Sequence, residues 1–231
     1  HCETVNDYCE LLVNHKSEVD KLVKVLTIHV SQFFRNLSAF EKLRTEIIPH
    51  LFSMARQKGK KRLRFWSLGC AGGEEPYSLA LILAEHFPRE MQEIPVCIDA
   101  TDVDSGIIQS AENALYHHDR LLETPINYIQ KYFEEEENQY RLSPAIRAMV
   151  SFSQGEMFNS LIYHECDLLL CRNVLIYLAR AQQEKIFRNI ARSLNEDAFL
   201  VLGKSETIIG ESRALFQTVC PLERIYRLAA A

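Results

Sequence analysis

The sequence predicts an α/β domain with a largely parallel sheet. From residue 63 onward, short apolar runs alternate with segments of helical periodicity, and a glycine-rich turn directly follows the first of these runs. Strands that alternate with helices are typical of parallel sheets, because parallel strands need crossover connections. A glycine-rich turn after the first strand lets a ligand approach the backbone at the carboxyl edge of the sheet. The same pattern therefore predicts a ligand site.

Length and composition narrow the class of protein. The chain has 231 residues, 47% hydrophobic and 25% charged, which is typical of a globular protein and excludes a disordered or fibrous one. Its formal net charge is -5, so we expect no nucleic-acid partner, since such binding rests on phosphate neutralisation. Apolar runs such as Leu168–Leu170 are far shorter than the ~20 residues that span a bilayer, and we expect no membrane insertion.

The cysteines indicate a reducing compartment. The chain has seven cysteines and no CxxC pair, so we expect free thiols and a cytoplasmic protein. Cys70, Cys97, Cys166 and Cys171 lie in apolar stretches, and we expect them to be buried. Because Cys171 precedes Arg172, an activated nucleophile is an alternative, but no His partner lies near it in the sequence.

The N-terminal region is predicted to be helical. A helix is predicted over Ser38–Ala55, with Ser38 and Glu41 in capping-box register, and a basic loop follows at residues 58–62. An earlier helix is indicated by apolar residues at three- and four-residue steps, which are Val19, Leu22, Val23, Leu26, Val30 and Phe33.

Strands and helices then alternate. The first strand is predicted over Leu63–Leu68, the glycine-rich turn covers Gly69–Gly73, and a helix begins near Glu74 with Pro76 in its first turn. The run Glu134–Glu137 is too acidic for a core. The other predicted elements are helices over 105–116, over 125–133 and from about Arg180, and strands over Ile94–Thr101, Tyr140–Leu142, Met149–Phe152, Asp167–Cys171, Phe199–Gly203 and Arg224–Leu228.

The glycine-rich turn is compatible with two ligand classes, dinucleotides and S-adenosylmethionine. Its spacing is GxxGG, and Glu74 and Glu75 stand where a pyrophosphate would need bare helix N–H groups. Two carboxylates repel that anion but attract a sulfonium and an ammonium, which favours S-adenosylmethionine; alternatively, they only complement the helix dipole. Asp102 ends the second predicted strand, where a carboxylate can accept both ribose hydroxyls of a nucleoside; alternatively, it caps the loop.

Several segments together resemble the chemotaxis receptor methyltransferases, the CheR family, over about residues 27–228. The resemblance implies a class I S-adenosylmethionine-dependent methyltransferase domain, Rossmann-like, with a small inserted antiparallel β-subdomain. It also implies methylation of glutamate side chains on the cytoplasmic helices of chemoreceptors. The matching segments are Phe33–Asn36, Trp66–Ser78, Ala100–Asp104, Cys171–Tyr177 and Gly203–Glu206.

The resemblance also implies which residues form the site. Arg35, Arg172 and Tyr177 would lie near the methyl group and the substrate carboxylate. His29, Ser31 and Glu156 depart from the family, which often has Asn, Thr and Asn there. The implied cofactor contacts are His29, Ser31, Arg35, Gly69, Glu75, Asp102, Glu156, Met157, Arg172 and Asn173.

The chemistry suits these residue types. A glutamate side chain is ionised at neutral pH, so methyl transfer to it needs no general base. The protein has to align the reacting atoms and exclude water. Arg35 and Arg172 are expected to orient a carboxylate, because a guanidinium binds it in a bidentate geometry. Tyr177 is expected to donate to the carboxylate oxygen that does not react. Arg172 as a structural ion pair and Tyr177 as a core aromatic are the alternatives.

The expected organisation is an N-terminal helical segment over 1–34, the remainder of a truncated helical domain, and a methyltransferase domain over 35–231 with the β-subdomain near 132–152. The first residue is His1 and not Met, so we expect a fragment of a longer chain. In some members of the family the β-subdomain grips a receptor's C-terminal pentapeptide through a longer, glycine-containing loop. Here the loop Glu134–Gln139 is short and lacks glycine, which favours independence of that pentapeptide.

Other expectations concern partners and competing functions. Lys16, Lys21 and Lys24, together with Arg35, form a basic edge that would face an acidic receptor helix; alternatively, it is only a solvated face. The pair His117–His118 lacks a matching ligand set, so we expect no metal. The competing functions are a methyltransferase acting on a small carboxylic acid and a signalling module that binds S-adenosylmethionine without catalysis.

Overall fold

The computed structural model describes residues 4–15, 18, 22 and 31–229, and it divides into two compact units, residues 1–30 and 31–231. In the first unit, helix α1 (Val5–Asn14) begins after Thr4, whose hydroxyl accepts from the Asp7 N–H while the Asp7 carboxylate accepts from the Thr4 N–H. Of the predicted helical stripe, only Leu22 and Phe33 are among the described residues, and its lysines are not.

The second unit opens with a helix that is continuous through a π-helical turn. Helix α2 (Leu37–Lys42) passes through Leu43–Ile47 into helix α3 (Ile48–Gln57), which agrees with the helix predicted over 38–55. The predicted capping box is wrong. The cap is Asn36, in the left-handed region at φ 61°, and its N–H donates to the Glu123 carboxylate at 2.7 Å, so a contact distant in sequence sets the start of the helix.

A seven-stranded sheet forms the body of the second unit. Its order is β6-β2-β1-β7-β8-β10-β9, and the first five are parallel. Strands β10 and β9 complete it in antiparallel pairing. The strands are β1 (Leu63–Leu68), β2 (Val96–Asp102), β6 (Val150–Gln154), β7 (Cys166–Cys171), β8 (Leu194–Leu202), β9 (Phe216–Cys220) and β10 (Ile225–Leu228).

Helices cover both faces of this sheet. Leu63 and Phe65 of β1 pack in a core that includes helix α4 (Glu74–His86), whereas Trp66 and Leu68 pack in a second core with helix α9 (Arg180–Ser193). Side chains alternate along a strand, which explains why one strand supplies both cores. Trp66 is fully buried. Helices α5 (Pro88–Glu93) and α6 (Ser105–Asn113) complete the crossovers around β2.

A separate three-stranded antiparallel sheet is inserted between α6 and β6. It consists of β3 (Leu115–His117), β4 (Phe133–Glu136) and β5 (Gln139–Leu142) in the order β3-β5-β4. Helices α7 (Ile126–Tyr132) and α8 (Pro144–Arg147) flank its hairpin. The sheet starts earlier than 132, and the strand predicted at 149–152 belongs to the large sheet, where β6 pairs in parallel with β2.

The remaining differences are local. Strand β8 begins at Leu194 and not at Phe199, and β9 is an additional strand. Cys97 is exposed in the structure, so its predicted burial is wrong, whereas Cys70, Cys166 and Cys171 are buried. In the described part of the chain, every helix is too short or too polar to cross a lipid bilayer.

Candidate functional site

The order of the large sheet reverses at β1, between β2 and β7. In a parallel α/β sheet, the crevice outside the carboxyl ends of the strands at such a reversal is where ligands bind. The glycine-rich turn leaves β1 at this edge, and its Gly69 and Cys70 N–H groups donate to the Thr101 carbonyl at 2.8 and 3.1 Å. The turn is therefore fixed to the end of β2.

Gly69 has a conformation and surroundings that only glycine suits. Its φ is +81°, and a Cβ placed on it would lie 2.6 Å from Val174 Cγ2 and 2.8 Å from Met157 Cε. Gly73 is also left-handed, at φ +87°. Both positions therefore need glycine because of their left-handed conformation and because neighbouring side chains fill the space of a Cβ.

Asp102 is the carboxylate of the crevice. It is 9% exposed, and its Oδ2 accepts from the Ala71 N–H at 2.9 Å while its Oδ1 accepts from the Asp104 N–H at 3.1 Å. A carboxylate has about four acceptor positions, so each oxygen retains one for a further donor. The geometry fits a ribose, whose two neighbouring hydroxyls would meet the two oxygens.

Glu75 is held within the protein. Its Oε1 accepts from the Ser67 hydroxyl at 2.7 Å, and its Oε2 lies 3.4 Å from Arg172 Nη1. Burial raises the pKa of Glu75, and the Arg172 charge opposes this shift. Glu75 was predicted to contact the cofactor, but the contacts of its carboxylate in the structure are to Ser67 and Arg172.

Glu74 has a carboxylate oxygen without a hydrogen-bond partner among the described residues. The sequence did not distinguish Glu74 from Glu75 in this respect. The residue is 3% exposed, and its Oε2 has no hydrogen-bond partner among the described residues. A Cβ on Gly72 would lie 2.9 Å from Glu74 Oε1 and 3.0 Å from Oε2, so the carboxylate covers the glycine turn. Burial raises its pKa, although Arg120 and Ser31 oppose the shift. An orphaned buried acceptor beside the turn suits an ammonium group.

Arg172 is buried, and its predicted role in orienting a carboxylate stays a prediction. It is 7% exposed, and its Nη2 donates to the Arg35 carbonyl at 2.8 Å and to Asn36 Oδ1 at 3.1 Å. Its Nη1 faces Glu75, and the guanidinium lies 5.3 Å from the Phe40 ring centre. Both terminal nitrogens are therefore engaged, whereas the buried Nε has no hydrogen-bond partner among the described residues.

The remaining predicted site residues differ in how far they are exposed to solvent. Tyr177 is 65% exposed, at the end of the 3₁₀ turn Leu175–Tyr177, so it is not a core aromatic. Asn173 is half-buried with φ +61°. Met157 lies against Gly69, and the backbone just before Glu156 is tied to the end of β2 because the Gly155 N–H donates to the Asp102 carbonyl at 2.9 Å. Ser31 and Arg35 are half-buried, Glu156 is exposed, and His29 lies outside the described residues.

Thiol chemistry does not contribute to this site. Cys171 is fully buried, and burial raises its pKa well above the usual value, which removes the nucleophile alternative. Within residues 4–15, 18, 22 and 31–229, His, Cys, Asp and Glu side chains form no group of three that could hold a metal ion.

The fold and the site together define a class. A parallel sheet whose order reverses at β1, a glycine turn after β1 and a carboxylate at the end of β2 are found in dinucleotide-binding domains and in class I S-adenosylmethionine-dependent methyltransferases. Glu74 and Glu75 at the start of α4 favour the methyltransferase class. Within that class, the chain belongs to the CheR methyltransferase family, whose S-adenosylmethionine-binding domain matches residues 29–222. The family, fold class and cofactor expected from the sequence are thereby confirmed.

Proteins similar in sequence to this chain include chemotaxis protein methyltransferases. Chemotaxis protein methyltransferase 2 of Vibrio cholerae is 31% identical over 195 residues, which cover 83% of this chain and 66% of that protein. The chemotaxis protein methyltransferase of Listeria monocytogenes is 30% identical over 83% of this chain and 70% of its own. The chain thus spans about two thirds of these proteins. A TehB-like methyltransferase structure from Corynebacterium glutamicum aligns with 77% of this chain and 85% of its own at a TM-score of 0.41 and 14% identity.

Proposed function

We propose that this chain transfers a methyl group from S-adenosylmethionine to glutamate carboxylates on the cytoplasmic helices of chemoreceptors. The observation that carries the proposal is the juxtaposition at one sheet edge of a glycine turn, an Asp102 carboxylate with acceptor positions to spare, and the turn that follows β7. Family membership supplies the reaction class, and the relatives named for chemotaxis support the kind of substrate. A cytoplasmic location is part of the proposal.

The cofactor contacts follow from the acceptors at this edge. When bound, S-adenosylmethionine supplies an electrophilic methyl group on a positively charged sulfur. Asp102 would accept from the ribose hydroxyls, and Glu74 would accept from the ammonium of the methionine end. Gly69 would contact the cofactor through its backbone, Met157 lies against Gly69, and Asn173 lies in the turn that follows β7.

The substrate side needs orientation more than acid–base chemistry. A glutamate is ionised at neutral pH, so the protein has to align its oxygen and exclude water. Arg172 holds the Arg35–Asn36 turn, and Arg35 and Arg172 are both candidates to orient the substrate or cofactor carboxylate. Tyr177 is exposed and would donate to the carboxylate oxygen that does not react.

The exposed position of Tyr177 supports a macromolecular substrate. The exposed ring of Tyr177 is accessible to a helix that lies across the edge. The hairpin between β4 and β5 turns tightly through Glu137 and Asn138, both at positive φ, which supports the proposal that no receptor pentapeptide is required.

The function is tested with S-adenosylmethionine labelled in its methyl group. We expect label to pass to a receptor cytoplasmic fragment and to be released as methanol by mild base, because glutamyl methyl esters are base-labile. The matched control is the same fragment with its methylation-site glutamates changed to alanine. Transfer to small carboxylic acids alone would overturn the proposal in favour of the small-acid enzyme. Binding without transfer to any acceptor would favour the signalling module.

The buried Glu74 carboxylate gives cofactor binding a pH dependence. An ammonium needs the ionised form, and burial raises the pKa of Glu74, so affinity should fall on acidification at a pH above that of an exposed glutamate. Calorimetry with S-adenosylhomocysteine between about pH 5 and pH 8 measures this. Glu74→Gln should bind about tenfold more weakly at neutral pH and lose most of the pH slope. An unchanged slope in that variant would remove Glu74 from the contact.

A further inference from the structure

Glu206 is a buried carboxylate with no role in the site as described so far. It is 4% exposed and lies just after β8 in the segment Gly203–Glu206. Its Oε1 accepts from the N–H groups of Val174 and Leu175 at 2.9 and 2.7 Å. Its Oε2 accepts from those of Asn173 and Gly203 at 2.8 and 2.7 Å. One side chain therefore satisfies four backbone donors, which uses about all the acceptor positions of a carboxylate.

The turn after β7 depends on such an acceptor. Asn173 is left-handed at φ +61°, a conformation that costs free energy in a residue other than glycine. The N–H groups of residues 173–175 all point at the same carboxylate, and successive N–H groups of this kind form an anion-binding concavity. Gly203 makes room, because a Cβ there would lie 2.8 Å from Asn173 N and 2.8 Å from Glu206 Oε2.

The same turn supports the cofactor crevice. It carries Val174, whose Cγ2 would lie 2.6 Å from a Cβ on Gly69, and Arg172, which reaches Glu75 and the Arg35 carbonyl. A shift of the turn would therefore move the wall of the glycine turn and release the Arg35–Asn36 segment at once.

We propose that Glu206 is a positioning residue of the cofactor site, whose carboxylate holds residues 173–175 in the conformation that sets Val174 against Gly69 and Arg172 against Glu75. Glu206 touches neither cofactor nor substrate in this role. The proposal rests on the proposed function only in placing the cofactor at this edge, and it does not depend on which carboxylate is methylated.

The test compares two buried carboxylates, Glu206 at the turn after β7 and Asp167 near the start of β7. Glu206→Gln keeps the shape but turns an NH₂ group toward two N–H donors, and Asp167→Asn removes a carboxylate that accepts from Lys60 and the Arg64 N–H. We expect both variants to lower the thermal midpoint. Only Glu206→Gln should weaken S-adenosylhomocysteine binding, by about tenfold or more in calorimetry at a temperature where both are folded. Equal binding by the two variants would overturn the proposal.

Hydrogen exchange of the unaltered protein provides a second measurement, which holds even if Glu206→Gln fails to fold. We expect slow exchange at the N–H groups of 173, 174 and 175, although residues 173 and 174 lie outside regular helix and strand. Fast exchange at these positions would overturn the proposal. Neither measurement uses methyl transfer, so a protein that binds the cofactor without methylating receptors would contradict the proposed function and leave this test intact.

Discussion

Arg172→Lys is expected to lower methyl transfer by about 100-fold while the protein still folds. A lysine keeps the positive charge near Glu75 but offers no fork that donates to the Arg35 carbonyl and Asn36 Oδ1 while also facing Glu75. Hydrogen bonds to charged groups contribute about 1.5–3 kcal/mol each, so the loss of one or two of them accounts for a loss of this size. Turnover with a receptor fragment and the thermal midpoint are the two measurements.

The matched control for Arg172 is Arg188→Lys. The Arg188 side chain is 52% exposed and forms ion pairs with Glu184 and Glu211 on the surface of α9. Exposed pairs of this kind contribute about 0–1 kcal/mol, so Arg188→Lys should leave turnover within about twofold of normal. If Arg172→Lys behaves in the same way, Arg172 does not position the site.

Asp102→Ala is expected to weaken S-adenosylhomocysteine binding by about 100-fold or more. The substitution removes both oxygens proposed to accept from the ribose hydroxyls, each bond contributing about 1.5–3 kcal/mol. It also frees the Ala71 N–H, which now donates to Asp102 at 2.9 Å, so the glycine turn loses one of its fixed points. Calorimetry measures the loss directly.

A neighbouring carboxylate separates the binding loss from destabilisation. Asp104 caps helix α6 by accepting from the N–H groups of Gly106 and Ile107, and losing such a cap costs about 1 kcal/mol. Asp104→Ala should therefore lower the thermal midpoint but keep affinity close to normal. Comparable affinities in Asp102→Ala and Asp104→Ala would show that Asp102 does not hold the ribose.

The features that the sequence predicted are local in the chain. The strand, glycine turn and helix of residues 63–86 follow from periodicity over a few residues, and Asp102 follows from its place after a strand. The family resemblance was also based on short, continuous segments of sequence. These local patterns were sufficient to predict where the crevice lies.

The features that the sequence did not predict depend on contacts between distant residues. Arg172 meets Arg35 across 137 positions, and Glu206 meets Leu175 across 31, so no local pattern shows that both side chains are already bonded. The strand at 150–154 has the length and composition of a strand in either sheet, and its partner β2 is fixed only by packing. Glu74 and Glu75 are adjacent and alike, yet burial leaves one with an orphaned oxygen and pairs the other.

The most direct test is a crystal structure of the chain with S-adenosylhomocysteine. The predicted result is a nucleoside whose ribose hydroxyls donate to Asp102, lying along the Gly69–Gly73 turn, with its amino group at Glu74 and its sulfur directed toward the surface that exposes Tyr177. A product molecule bound away from the carboxyl edge of β1 and β2, or one that makes no contact with Asp102, would contradict this account.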